Sequence, residues 1–149
     1  MKHIELNEIE ISGEKYPLYC DMNVLEEIQS SGMSVNEFER KILGLEVIRD
    51  EAGAPKYNNK GAILNKQKEP DIKTVMNALM LMINEGYKVQ EFQSGAKAKS
   101  VTVNELNMIN DVPYVVLAIK LHDEFNRCFD SKKNLNQQKA TQKKTKTTN

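Results

Sequence analysis

The feature that most constrains the fold is a segment between Pro70 and Gly86 whose apolar residues recur at helical spacing. Positions i, i+3, i+4, i+7, i+8 and i+11 of this segment are all apolar: Ile72, Val75, Met76, Leu79, Met80 and Ile83. At 100° per residue these side chains, with Met82, form an apolar arc about 160° wide. Because Pro70 suits a first turn, a helix is predicted from 70 to 85, ending at Gly86. Its apolar arc is wider than one side of a small domain usually requires.

A β-hairpin is predicted near the N-terminus from apolar residues that alternate with period two. Isoleucines and glutamates alternate in 8–11, and every second residue is apolar in 16–20. This alternation puts each apolar set on one face of its strand. The connection 12–15 contains Gly13, which can take the positive φ of a tight loop. Pro17 cannot donate to a neighbouring strand, so its strand is expected at an edge.

Capping residues and apolar stripes predict four more helices, beginning near Asn23, Ser34, Thr102 and Pro113. Ser34 and Thr102 are each followed by a glutamate three residues later, which is the pattern of a capping box. The last helix has an apolar stripe: Tyr114, Leu117, Ala118, Leu121, Phe125 and Cys128. The expected fold is therefore α+β: one domain over residues 1–130, with the N-terminal hairpin packed on a small cluster of four or five helices.

Two segments lie outside this scheme. Residues 45–69 contain several turn formers between two short apolar runs at 45–48 and 62–64, so a long hairpin or a mobile arm is expected. Residues 131–149 hold six lysines, no acidic residue and one aliphatic residue larger than alanine, Leu135. A disordered basic tail is predicted there, because so little apolar surface cannot offset the entropy lost on ordering. The rest of the chain has 15 basic and 21 acidic side chains, a net charge of −6.

Several function classes are disfavoured by the sequence. No apolar run approaches the roughly 20 residues of a membrane span, and the charged start is unlike a signal peptide, so a cytoplasmic protein is expected. Phosphate-binding, dinucleotide-binding and nucleophile-elbow motifs are absent, as is metal-ligand spacing. His122 lies near carboxylates on a helix, where histidine is more often solvated than catalytic. Cys20 and Cys128 are expected to be buried as small hydrophobic residues. No enzymatic activity, cofactor or metal is predicted.

The methionines of the long helix are the candidate binding residues. Methionine is flexible and polarizable, and adaptable binding surfaces use it often. Three methionines share this helix with Leu81, which lies outside the apolar arc. The hypothesis is a surface for a partner or a second copy of the chain, made of Met76, Met80, Leu81 and Met82. Core filling is the alternative interpretation of the methionines.

Three segments resemble a known family. The runs ISGEKYPL at Ile11–Leu18 and DMNVLEEI at Asp21–Ile28 are similar to the opening of phage tail assembly chaperones. That family typically begins with a hairpin that has a Gly-rich turn and a K-Y-P-L type strand, followed by a D-x-N-x-L-E-x-I helix start. LMLMINEG at Leu79–Gly86 is similar to a family helix that ends in N-E-G. The resemblance covers residues 4–43 and 70–129; the segment 45–69 and the basic tail depart from it.

The resemblance implies a non-enzymatic assembly factor. Such chaperones bind the tape-measure protein, a long, helix-rich and aggregation-prone chain, and assist tail-tube protein to polymerise around it. Two alternatives remain open: a structural component of the phage tail or virion, and a nucleic-acid-binding regulator that uses the basic tail. Nucleic acid is not the expected partner, because the acidic body would repel it and no aromatic residue lies among the tail lysines.

Overall fold

A computed structural model describes residues 3–129 of the chain. Within this range an N-terminal antiparallel hairpin lies on five helices, and a second small hairpin is inserted between the second and third helices. The α+β class, with its hairpin and helix cluster, is confirmed. The predicted disordered tail at 131–149 lies outside the described residues.

The elements follow one another in the order ββαα, ββααα. The strands are β1 (Asn7–Ile11), β2 (Glu14–Leu18), β3 (Leu45–Val47) and β4 (Asn65–Gln67). The helices are α1 (Met22–Ser30), α2 (Val35–Leu43), α3 (Ile72–Ser94), α4 (Val103–Ile109) and α5 (114–129). β1 pairs with β2 and β3 pairs with β4, both antiparallel, so the described residues contain two separate two-stranded sheets.

The N-terminal hairpin turns through two residues rather than the predicted four. Ile11 pairs with Glu14, and the loop residues Ser12 and Gly13 have φ of 50° and 78°. Two consecutive residues with positive φ give the turn whose twist matches that of the flanking strands. The Ser12 backbone N–H donates to the Asp111 carboxylate at 2.9 Å, which helps to hold this unusual conformation.

Two of the predicted helix caps are present, and a third is displaced. Ser34 and Thr102 accept backbone N–H groups three residues later, each at 3.1 Å, as the capping-box pattern requires. The predicted cap of α1 at Asn23 is wrong by two residues, because the carboxylate of Asp21 accepts the Val24 N–H at 3.2 Å. The cap of α3 is Asp71. In both cases a nearby carboxylate takes the capping role, and a carboxylate is also favoured by the helix dipole.

The predicted end of the long helix at Gly86 is also wrong, because α3 continues to Ser94. Gly86 is buried within the helix, and a Cβ built on it would lie 2.8 Å from the Cβ of Pro17 in β2. The glycine therefore allows a strand to approach the helix backbone rather than ending the helix. One turn earlier, the Met82 carbonyl accepts the Tyr19 N–H at 3.1 Å. α3 ends at Ser94 and is capped by Gly95, which has φ of 70°.

One hydrophobic core joins the hairpin to all five helices. It contains Cys20, as predicted, whereas Cys128 is half-buried against it. The carboxylate of Glu124 is 3% exposed in this core and accepts the Cys20 N–H at 3.1 Å and the Asn7 side-chain amide at 2.5 Å. Its third partner is the guanidinium of Arg127. Glu124 therefore links α5 to the open end of the hairpin, where β1 begins and β2 ends, through fully partnered polar contacts.

Residues 45–69, hereafter the arm, form a branched hairpin. β3 and β4 are its stem, and the second predicted strand is shifted from 62–64 to Asn65–Gln67. Above the stem, three backbone hydrogen bonds of 2.9 Å form a closed ring: Ile48 N–H to Leu64, Leu64 N–H to Lys56, and Lys56 N–H to Ile48. This ring divides the end of the arm into a first lobe, 48–56, and a second lobe, 56–64.

The two lobes repeat one local structure at a spacing of eight residues. This repeat was not predicted from the sequence. Asp50 and Asn58 each accept two backbone N–H groups through their side-chain oxygen. Gly53 and Gly61 each take positive φ and donate back to the carbonyl three residues earlier. No side chain of the arm is buried. The arm is therefore held by backbone and turn hydrogen bonds rather than by a core of its own.

Replacing Gly86 with alanine is expected to lower the free energy of unfolding by about 1–3 kcal/mol, because Pro17 and the backbone of β2 must move away. Alanine would otherwise raise helix stability by about 1 kcal/mol at such a position. Urea unfolding of the two proteins measures the difference. Gln90→Ala, at an exposed position of the same helix, is the control and should change stability little; a Gly86→Ala protein as stable as the parent would contradict the close-approach explanation.

Candidate functional site

A groove runs between α2 and α5, which lie side by side in opposite directions. Near the start of α2, Phe38 packs on Phe125 with ring centroids 5.6 Å apart. Near its end, Ile42 lines the same cavity as Ala118. The groove has two parts, which we call the arm-side compartment, next to the base of the arm, and the far compartment, next to the end of α5.

The arm-side compartment is the more apolar part, with a volume of about 380 Å³. Its apolar walls are formed by Ile42, Leu43, Pro70, Val115, Ala118 and Ile119. Val115 and Ile119 are 45% and 58% exposed. They lie one turn apart on α5, beside the stripe that faces the core. The sequence reading missed them, although their i, i+4 spacing outside that stripe is a detectable signal.

The far compartment combines apolar walls with an acidic rim and has a volume of about 690 Å³. Its apolar walls include Met22, Leu25, Val35, Phe125 and Phe129, of which Met22 is 49% exposed. The ionisable residues that line it are Glu26 and Glu39, and the other polar ones are amides. The compartment is therefore suited to an apolar group that carries positive charge at its edge.

A hydrogen-bonded bridge separates the two compartments. His122 Nε2 lies 3.1 Å from the Glu39 carboxylate, and His122 Nδ1 lies 3.3 Å from the side-chain amide of Asn126. The imidazole also stacks on Phe125, with ring centroids 6.1 Å apart. The side chain of His122 is 19% exposed, so it is less solvated than its surface position on a helix predicted. Its contacts give it a structural role in closing the groove between the compartments.

The residues predicted to bind a partner are placed differently by the structure. Met76 and Met82 lie in the core, 4% and 0% exposed. Met80 and Leu81 are half-buried and pack against that core. The four side chains therefore do not form one accessible surface, and the core-filling interpretation fits Met76 and Met82. A lysine at position 82 would bury a charge rather than probe a binding face.

One pair of carboxyl groups resembles the arrangement that acid–base enzymes use. Glu85 is 7% exposed, accepts the Asn23 side-chain amide at 3.1 Å, and forms a hydrogen bond with Asp21. Burial, and then this hydrogen bond, raise the pKa of Asp21 to about 6. A second carboxyl group in contact disfavours the ionised form of Asp21 in this way. Because Asp21 also caps α1, a structural role accounts for the pair.

Residues 3–129 give little support for a reactive thiol or a metal site. Burial raises the pKa of the Cys20 thiol, and the nearby Cys128 and Glu124 add to the effect, which disfavours the reactive thiolate. No group of three or more His, Cys, Asp or Glu side chains in the described range is arranged to hold a metal ion. None of the described helices has the length and apolar character needed to cross a membrane.

Comparison of the chain with protein-family models, curated proteins and solved structures finds no match. The resemblance of residues 4–43 and 70–129 to phage tail assembly chaperones therefore remains a prediction.

Replacing Glu85 with glutamine is expected to stabilise the protein at pH 7.5 and to have little effect at pH 4. The raised pKa of Asp21 means that its favourable contribution is complete below about pH 4 and is lost as pH rises through about 6. Glutamine removes the neighbouring negative charge and can donate to the Asp21 carboxylate. Because Asp21 is only half-buried, solvent screening limits the expected gain to about 1 kcal/mol.

Urea unfolding at the two pH values measures this gain for Glu85→Gln. Glu27→Gln, at an exposed position of α1, is the charge-matched control. An equal gain at pH 4 and pH 7.5 would show that Glu85 does not raise the pKa of Asp21.

Proposed function

We propose that this protein is a non-enzymatic tail assembly chaperone that acts in the bacterial cytoplasm and holds helical segments of a phage tape-measure protein. The observation that carries the proposal is the arm-side compartment, in which the exposed side chains of Val115 and Ile119 flank an apolar floor. The resemblance of the hairpin and helix motifs to that family supports the same function.

The shape and chemistry of the compartment suit one face of an amphipathic helix. Proteins bind such helices in apolar grooves, into which the helix inserts side chains spaced by three or four residues. The walls of the compartment come from two helices and from the segment that leads from the arm into α3. Val115 and Ile119 leave apolar surface exposed at the edge of this concave site, where a partner helix would cover it.

The small size of the compartment also fits a chaperone that must release its partner. An apolar contact contributes about 25 cal/mol per Å² of buried apolar surface. A cavity of about 380 Å³ accepts only a few side chains, so one copy would hold a helix weakly. Weak and repeated contacts would keep a long chain soluble and still allow tail-tube protein to replace the chaperone.

The direct test is co-expression with the tape-measure protein encoded in the same genome, followed by a solubility assay and a pull-down. The proposal expects the long chain to be soluble and to co-purify only when this protein is present. If the long chain stays insoluble and nothing is retained, a structural role in the phage tail takes first place.

The groove is tested by Val115→Lys combined with Ile119→Lys. The double variant is expected to bind the tape-measure protein at least about tenfold more weakly, because each lysine replaces an apolar contact worth roughly 1.5–3 kcal/mol when fully buried. Val116→Lys is the matched control, because Val116 is 40% exposed on the same helix but does not line the compartment. Equal losses for the control and the double variant would place the binding site elsewhere.

A further inference from the structure

The second lobe of the arm has an exposed apolar pair that no other residue in the range 3–129 covers. Tyr57 and Ile63 face each other across the lobe as a bridged pair, 58% and 42% exposed. The lobe also contains Lys56 and Lys60 and no acidic residue. Its surface is therefore apolar at the centre and positively charged around it.

The far compartment has the complementary character. It presents apolar walls, including the exposed side chain of Met22, and its ionisable lining residues are Glu26 and Glu39. An apolar pair flanked by lysines would meet apolar walls and carboxylates there. Complementary charge of this kind favours specific encounter and fixes the orientation of two surfaces.

The two surfaces belong to opposite ends of α2. The far compartment is lined by Val35, Asn36 and Glu39 from the first part of this helix. The arm begins at Leu45, directly after the helix ends. Nine helical residues span about 13 Å, and none of the residues that line the far compartment belongs to the lobe. A contact between lobe and compartment would thus join two copies head to tail.

We propose that the second lobe of one copy docks in the far compartment of a second copy. Tyr57 and Ile63 enter between the apolar walls, and Lys56 and Lys60 lie against Glu26 and Glu39. The chain's own tail is the weaker candidate occupant. It is basic and begins beside Phe129, but Leu135 is its single aliphatic residue larger than alanine, so it offers little for the apolar walls.

Head-to-tail docking leaves one unused lobe and one unused compartment, at the two ends of the assembly, until the assembly closes into a ring. The residues of the arm-side compartment take no part in it. If the proposed function is also correct, an assembly of several copies would present several arm-side compartments to one long partner. Linked weak sites of this kind bind much more tightly together than each binds alone.

The test measures the mass of the full-length protein over a range of concentrations by sedimentation equilibrium. The parent is expected to associate as concentration rises, and less so at high salt. The lobe variant, Tyr57→Ser with Ile63→Ser, and the compartment variant, Met22→Lys, are each expected to remain monomeric. These three side chains are exposed, and unchanged thermal unfolding would confirm that the variants are folded.

Mixing the two variants provides the decisive result. The lobe variant keeps an intact compartment and the compartment variant keeps an intact lobe, so their mixture should form a one-to-one dimer that grows no further. A mixture that stays monomeric, or a parent that is monomeric at every concentration, would overturn the proposal. Association seen only after deletion of 131–149 would identify the tail as the occupant and would also overturn it.

Binding of the tape-measure protein and self-association can be tested separately. The Val115→Lys, Ile119→Lys protein is expected to associate with itself as the parent does, because both residues line the other compartment. Loss of self-association in that protein would show that the arm-side compartment, rather than the far one, receives the lobe.

Discussion

The close contact between β2 and α3 determines how the rest of the chain packs. Because Gly86 has no side chain, Pro17 lies directly against the helix, and the Tyr19 N–H reaches the Met82 carbonyl. The hairpin then covers one side of α3, while α1, α2 and α4 contact it on others. A helix surrounded in this way needs a wide apolar arc for its own core. The width of the arc in α3 is therefore explained within one chain, without a partner.

The groove is a consequence of how α5 is held. The buried carboxylate of Glu124 binds the N–H of Cys20, the amide of Asn7 and the guanidinium of Arg127, which fixes the helix against the open end of the hairpin. A buried carboxylate requires such partners, because an unpaired charge in the core costs several kcal/mol. With one face of α5 fixed to the core, its next face lies beside α2. Val115 and Ile119 remain exposed there because no further element of the described chain covers them.

Features set by neighbours in sequence were predictable, whereas features set by distant contacts were not. The strands of the hairpin, the caps at Ser34 and Thr102 and the middle of the α5 stripe depend on spacings of two to four residues, and the structure contains them. Of the predicted stripe, Tyr114 lies outside the core and Cys128 is only half-buried against it. The role of Gly86 depends on Pro17, which is 69 positions away in sequence. The local sequence therefore predicted a helix end at Gly86. The arm depends on an eight-residue repeat of Asp/Asn and Gly that has few apolar residues. The groove needs α2 and α5 side by side, which no local pattern reveals.

The way the arm is ordered affects how strongly it can bind. Its ring of backbone hydrogen bonds and its two capped turns order 25 residues without burying a side chain. The conformational entropy of the lobes is therefore lost during folding rather than on binding, and a contact made by a preorganised surface is correspondingly stronger. The Glu39–His122 bridge keeps the receptor of such a contact apart from the arm-side compartment. Two apolar surfaces separated in this way can engage a second copy and a different partner at the same time, which a single continuous groove would not allow.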